Sequence, residues 1–176
     1  MSNAFNNAAK LAKTFSLLEP RFGAVVGASN NTAAIQAAIT AVEAVNGTLE
    51  IPAGTWWAST LTISDNLRIV CPEPAGAILK QIAGTNANFV TIGYAVVQNP
   101  IIENITIDGN SANNTSGNGL HLTTNAETDP AVTYGFSVTL RNSYIQNCAD
   151  RCLYVGTNRN MGHVENTELK RGDSLL

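Results

Sequence analysis

Two acidic residues, Glu103 and Glu165, occupy matching places in the segments Ile102-Glu103-Asn104 and Val164-Glu165-Asn166, and Arg141 holds the same place in Leu140-Arg141-Asn142. Ser64-Asp65-Asn66 supplies a fourth such position, Asp65, and two residues beyond the asparagines come Arg68, Thr106, Tyr144 and Glu168. If these segments stack as parallel rungs about 4.8 Å apart, the residues line up in columns on one outer surface. Such a strip has the chemistry to hold an extended glycan. Asp65, Glu103 and Glu165 accept from hydroxyls, Arg68 and Arg141 donate, and Tyr144 offers a ring face. Glu103 and Glu165, two rungs apart, would be separated by about 9.6 Å, close to the ~6.5–9.5 Å carboxylate spacing of inverting glycosidases. The commoner use of alternating charges on adjacent strands is an ion ladder, in which Arg141 neutralises the acids beside it.

A second column brings His121 and Tyr154 outward on neighbouring strands, with Asp108 and Asp150 in nearby turns. A histidine with an acid can serve as base and acid in glycan cleavage, so His121 joins Glu103 and Glu165 as a catalytic candidate. A histidine beside an aromatic on a β surface is more often simple packing. Trp56 and Trp57 are adjacent and so point to opposite faces; one is core, and the other is a sugar platform or lies beneath the N-terminal arm. Cys71, Cys148 and Cys152 read as small buried hydrophobes, because neither their spacing nor the two histidines supports a zinc site. The expectation is therefore no metal and no cofactor.

The elements that must position these residues are short and polar at their ends. The chain has 176 residues, 13% of them charged, and 21 asparagines against 13 Asp plus Glu. Ten Lys and Arg and a net charge of −3 leave no basic footprint for nucleic acid. No stretch approaches the roughly 20 apolar residues of a membrane helix. Asn3, Asn6, Asn7 and Lys10 interrupt the start, so no secretory signal peptide is expected there. Residues 1–20 read instead as an arm, with Phe5, Ala8, Ala9, Ala12, Phe15 and Leu18 at the spacing of a weak amphipathic helix over 4–18.

One helix is clearly written over 32–45, capped by Asn31 or Thr32, with Ile35, Ala38, Ile39, Val42 and Val45 on its apolar face and Asn46-Gly47 as its stop. Strands follow at 48–51 and 55–57. Beyond them, short β-branched segments recur at 60–63, 67–70, 88–92, 101–107, 119–122, 136–140, 152–155 and 163–169. Asn66, Asn104, Asn142 and Asn166 mark the repeat, at separations of 38, 38 and 24 residues. Around them the apolar residues sit two before (Ile102, Leu140, Val164) and three after (Ile107, Ile145, Leu169). A straight strand keeps one parity, so the chain must bend at each asparagine, which tolerates left-handed backbone. A column of asparagines stacked inside a corner, amide to amide, is expected. The fold class is mainly β: a right-handed parallel β-helix of about four coils, spanning 21–176, with a capping α-helix and the short arm.

Phe22-Gly23-Ala24, then Asn31 to Ile39, then Gly47-Thr48-Leu49-Glu50-Ile51-Pro52-Ala53-Gly54-Thr55-Trp56 together resemble the start of the pectate-lyase-like right-handed β-helix proteins. The likeness, over residues 21–57, is greatest to the N-terminal region of bacteriophage tailspikes and polysaccharide depolymerases. It implies that the helix covers the open end of the first coil and that Thr48 to Ile51 is the first rung. It also implies a virion or otherwise extracellular location and a homotrimer. The arm would dock on a tail or baseplate protein, and host surface polysaccharide would be the ligand. Non-catalytic attachment, a polysaccharide lyase or hydrolase, and a structural decoration module are the three functions it allows. Few residues follow Leu169, so the chain is expected to be the N-terminal part of a longer solenoid, or to have its last coil covered by other subunits.

Overall fold

The computed structural model describes residues 13–74, 76–93, 99–123, 138–156 and 163–170. Its first element is β1 (Thr14–Ser16), followed by α1 (Thr32–Glu43). Coil one is β2 (Thr48–Glu50), β3 (Gly54–Ala58) and β4 (Leu61–Ile63); coil two is β5 (Arg68–Val70), β6 (Ala77–Gln81) and β7 (Val90–Gly93). Coil three is β8 (Ile101–Glu103), β9 (Ile105–Asp108) and β10 (Leu120–Thr123); coil four is β11 (Thr139–Arg141), β12 (Tyr144–Gln146) and β13 (Leu153–Val155). A fifth coil begins with β14 (His163–Glu165) and β15 (Glu168–Lys170). All pairings are parallel. The first strands of the coils, with β1, make sheet A, the second strands make sheet B and the third make sheet C. This is the expected right-handed parallel β-helix, with four full coils.

Stacking sets the core. Leu49, Ile69, Ile102, Leu140 and Val164 are level on sheet A, and Trp56, Leu79, Ile107, Ile145 and Leu169 on sheet B. Ile63, Ile92, Leu122 and Val155 complete the interior from sheet C. Most of these are fully buried, because each rung shields the next. The last coil has no rung above it among the described residues: Val155, Val164 and Leu169 are exposed, although the Leu122, Leu140 and Ile145 beneath them are buried. At the other end α1 lays Ile35, Ala38, Ile39 and Val42 on the first coil and joins the same core. The Gln36 side chain extends this cover by pairing with both backbone groups of Thr62, at 2.9 Å each.

Several local expectations change. Residues 14–16 form a strand level with β2, where a helix over 4–18 is expected; residues 1–12 lie outside the described residues. Pairing along an existing sheet edge outweighs a weak helical periodicity. Asn31 precedes α1 but makes no cap bond, since its amide pairs with both backbone groups of Val25 (2.9 and 3.0 Å). Asn30 Oδ1 takes the capping role, accepting from Thr32 N at 2.9 Å. The helix ends at Glu43, and Asn46 (φ 49°) makes the left-handed stop. Strand β6 occurs where no strand is expected. Its buried Gln81 donates to the carbonyls of Ser59 and Ala87, which satisfies an amide inside an apolar wall.

The asparagine corner is real but differs in register and place. Asn104, Asn142 and Asn166 adopt left-handed φ of 59°, 47° and 45°. Asn66 does not share their column: Val70 is level with Glu103, so Cys71 occupies the corner below Asn104, and Asn66 is level with Asn99. The reason is that the inward place is filled by Ile69, leaving the Leu67-Arg68-Ile69 segment one strand earlier in the coil. Asn166 Nδ2 donates to Asn142 Oδ1 at 3.2 Å, and Asn104 Nδ2 to the Cys71 carbonyl at 3.0 Å. Asn142 and Asn166 are exposed, so the column lines the outside of the bend.

Candidate functional site

Sheet A carries the charged strip. Glu103, Arg141 and Glu165 are level on adjacent strands, as their shared segment pattern requires. Arg68, one coil earlier, donates to Glu103 Oε2 from Nη2 at 2.7 Å and from Nε at 3.2 Å. Arg141 Nε stands 3.7 Å from Glu165 Oε2, and His163 Nε2 3.4 Å from the same oxygen. Each carboxylate therefore faces a cationic or titratable partner, which is the geometry of an ion ladder. Asp65 lies apart, in the turn before β5, where its Oδ1 accepts from Asn66 N. Tyr144 is on sheet B, across the Asn142 corner, level with Thr106 and Glu168. The six residues expected to form one glycan strip are thus divided among two sheets and a turn, and His121 is on the third sheet.

Sheet B turns Trp57 outward over Lys80, whose Nζ is 5.2 Å from the ring centroid, while Trp56 is fully buried and donates from Nε1 to the Pro52 carbonyl. Asp108, also singled out by the sequence, is buried beside them. It accepts from Asn110 N (2.8 Å), Asn147 Nδ2 (2.9 Å) and Gln146 Nε2 (3.2 Å), so it organises turns. Cys71, Cys148 and Cys152 are all buried free thiols.

Sheet C assembles a different cluster. Its outward column is Thr62, Thr91, His121 and Tyr154. The His121 and Tyr154 rings are 4.9 Å apart and inclined by 30°, and the Arg151 guanidinium lies 5.4 Å from the Tyr154 ring centroid. Two asparagines just ahead of the strands fix this arrangement. Asn88 Oδ1 accepts from the backbone N–H of Asn118 at 3.0 Å and from its Nδ2 at 2.9 Å, and Asn118 Oδ1 accepts from Arg151 N at 3.2 Å. Because a backbone N–H fixes which end of the Asn88 amide is oxygen, its Nδ2 is the donor toward His121 Nδ1, 3.1 Å away. A neutral His121 then carries its proton on Nε2.

The turns below the cluster stack tightly. Gly117 (φ 108°) passes so close to the chain beneath that a Cβ would fall on the Ala87 carbonyl. Its N–H is held by Asp150 Oδ2 at 2.7 Å. Asp150 is thereby in the cluster, as expected from sequence, and Asp108 is not. Arg151, Asn88 and Asn118 were not anticipated, although a signal exists: Ser59, Asn88, Asn118 and Arg151 each stand two residues before a sheet C strand. Among the described residues no three His, Cys, Asp or Glu side chains converge as a metal site. What the cluster offers is a ring pair, one guanidinium and a row of amides and hydroxyls.

No protein-family model and no curated protein matches the chain. Solved structures do. The A-module of the mannuronan C-5 epimerase AlgE4 of Azotobacter vinelandii is similar over 88% of this chain and 42% of its own, with a TM-score of 0.61 and 22% identity. The A-module of the AlgE6 epimerase of the same organism matches over 87% and 41%, with the same TM-score and identity. The chain thus spans about two fifths of these neighbours. The likeness is one of fold, a parallel β-helix.

Proposed function

We propose that the chain binds an extended polysaccharide along the outer face of sheet C. The observation that carries this reading is the His121–Tyr154 ring pair with Arg151 beside it. Stacked rings give a sugar its apolar contact, and the flanking amides and guanidinium give directed hydrogen bonds to hydroxyls. The solved neighbours named for mannuronan, a polyuronate, support a polysaccharide as the ligand without fixing its charge. The test is binding of host-surface polysaccharide to the full chain. Tyr154→Ala and His121→Ala are expected to weaken it about tenfold or more, whereas Glu103→Gln and Arg141→Gln leave it within about twofold. Loss of binding only in the sheet A variants would overturn the assignment.

The setting we infer is attachment: a tailspike or tail-fibre-like virion protein, homotrimeric, whose N-terminal arm docks on a tail or baseplate protein. Its support is the ordered resemblance over residues 21–57. Copurification of the chain with a tail protein, lost on removing residues 1–12, tests it; a chain that is monomeric and absent from virions sinks it.

Catalysis is a second reading, favoured by the outward place of His121 within the sheet C cluster. An imidazole so oriented can exchange a proton with a sugar, as a polysaccharide lyase or hydrolase requires. Release of unsaturated or reducing ends at saturating polysaccharide, abolished by His121→Ala but retained by Tyr154→Ala, supports it. Persistent release in that variant removes His121 from the chemistry.

A further inference from the structure

We propose that the polysaccharide held on sheet C is a neutral one. This deepens the binding reading above and rests on it. From Thr62 to Tyr154 the outward column crosses three rung steps, a track of about 14 Å. Along it the described side chains are hydroxyls, amides, the Tyr154 phenol and the His121 imidazole, and the Asp and Arg among them are at one end, where Asp150 and Arg151 are adjacent. The Asp150 carboxylate accepts the Gly117 N–H, and the Arg151 guanidinium is already engaged over Tyr154.

The opposite end of the track is neutral as well. Thr62 is shared with an open groove of about 860 Å3 between α1 and the first coil. Its lining contains no charged side chain; Asn30, Thr32, Ser59 and Thr60 supply the polar atoms and Phe22 the ring. Arg21, next to Phe22 in the chain, is paired with Glu19 at 2.8 Å and lies over the Phe15 and Phe22 rings.

A polymer with a carboxylate on every sugar would lay several anions along this track, where among the described residues the Arg151 guanidinium is already engaged over Tyr154. Carboxylates taken out of water without partners are costly, and Asp150 would repel the nearest of them. Neutral sugar hydroxyls, both donors and acceptors, match the amide and hydroxyl row without that cost. A neutral ligand also makes binding insensitive to salt, since no charge pairing is screened.

The experiment uses the full chain against immobilised dextran, mannan, xylan and galactan and against polygalacturonate, polymannuronate and hyaluronate. At least one neutral glycan is expected to bind about tenfold or more tighter than every polyuronate. Its affinity should stay within about twofold between roughly 0.01 and 1 M NaCl. A polyuronate that binds as tightly as the best neutral glycan, or an affinity that falls steeply with salt, overturns this inference and leaves the binding reading intact. Binding of none of the seven overturns both.

Discussion

The imidazole of His121 and the phenol of Tyr154 stack across neighbouring rungs of sheet C, with centroids 4.9 Å apart and planes inclined by 30°. Both side chains are half-buried, and Arg151 leans on the outer ring of the pair. Rings so placed stabilise each other by about 0.5–1.5 kcal/mol beyond their buried area. A double-mutant cycle on His121→Ala and Tyr154→Ala, read by urea unfolding, should therefore give a coupling near the lower end, about 0.5 kcal/mol. Additive single effects would mean that the rings are neighbours without interaction, and the platform for a sugar would lose its rigidity.

The corner asparagines separate backbone from side-chain contributions. Asn104 and Asn142 both hold left-handed backbone, but only Asn104 ties its amide to the coil below, at the Cys71 carbonyl. Asn142→Gly is expected to cost at most about 0.5 kcal/mol, because glycine accepts that backbone freely and the contact it loses, from Asn166 Nδ2 at 3.2 Å, is exposed. Asn142→Ala should cost about 1–2 kcal/mol from the left-handed strain. Asn104→Gly should cost about 1 kcal/mol for the lost hydrogen bond, and Asn104→Ala more than either. Thermal unfolding of the four variants checks the order; equal losses for Gly and Ala would show that the backbone at these corners is not under strain.

The same residues show what can be read from a chain of this type. A switch of parity around Asn104, Asn142 and Asn166 is a local signal, visible because left-handed bends restrict residue type and every rung repeats them. The Asn66 segment copies the pattern without sharing the place, since what fixes register is which apolar residue fills the core. That is decided by the whole stack: Ile69 is inward, so Cys71 is at the corner. Strand β1 is hidden for a related reason, its pairing partner being 34 residues away at Thr48. The sheet C cluster was half legible, as His121 and Tyr154 share a pattern. Arg151 belongs to it through the asparagine ladder from Asn88 and Asn118, a contact no single segment reveals.

Glu43 ties the end of the cap helix to the next turn by accepting the backbone N–H groups of Ser64 and Asp65. Burial raises its carboxyl above the ordinary value of 4.5, more than those two hydrogen bonds lower it, and the nearby Asp65 charge adds to the rise. The folded chain thus holds this proton more tightly than the unfolded one. The resulting stability is fully present below 4.5 and is lost as pH rises through the elevated value. Glu43→Gln, which keeps an acceptor oxygen without the charge, should raise the melting temperature at pH 7. The gain should vanish near pH 4, and a gain of equal size at both pH values would disconnect the effect from ionisation.

Cys148 is enclosed where the turn before sheet C stacks on the coil below. Its thiol touches the carbonyl of Gln146 at 3.2 Å, and Gly119 beneath leaves no room for a side chain of its own. Burial, followed by the hydrogen bond and the charge of the Cys152 thiol, pushes the Cys148 thiol far above the usual range for cysteine. Since the thiolate is the reactive form, Cys148 should be inert to iodoacetamide at pH 8 in the folded chain and label readily in urea, as peptide mass mapping can show. The same shift makes the fold sensitive to base. The unfolded chain releases this proton near 9.0 while the folded chain keeps it, so stability should decline as pH rises above that value. In Cys148→Ala that decline should be shallower than in the parent chain. Rapid labelling of Cys148 at pH 8 without denaturant would show instead that the turn carrying Arg151 and leading into Tyr154 opens readily, and the preorganised sheet C site would no longer stand.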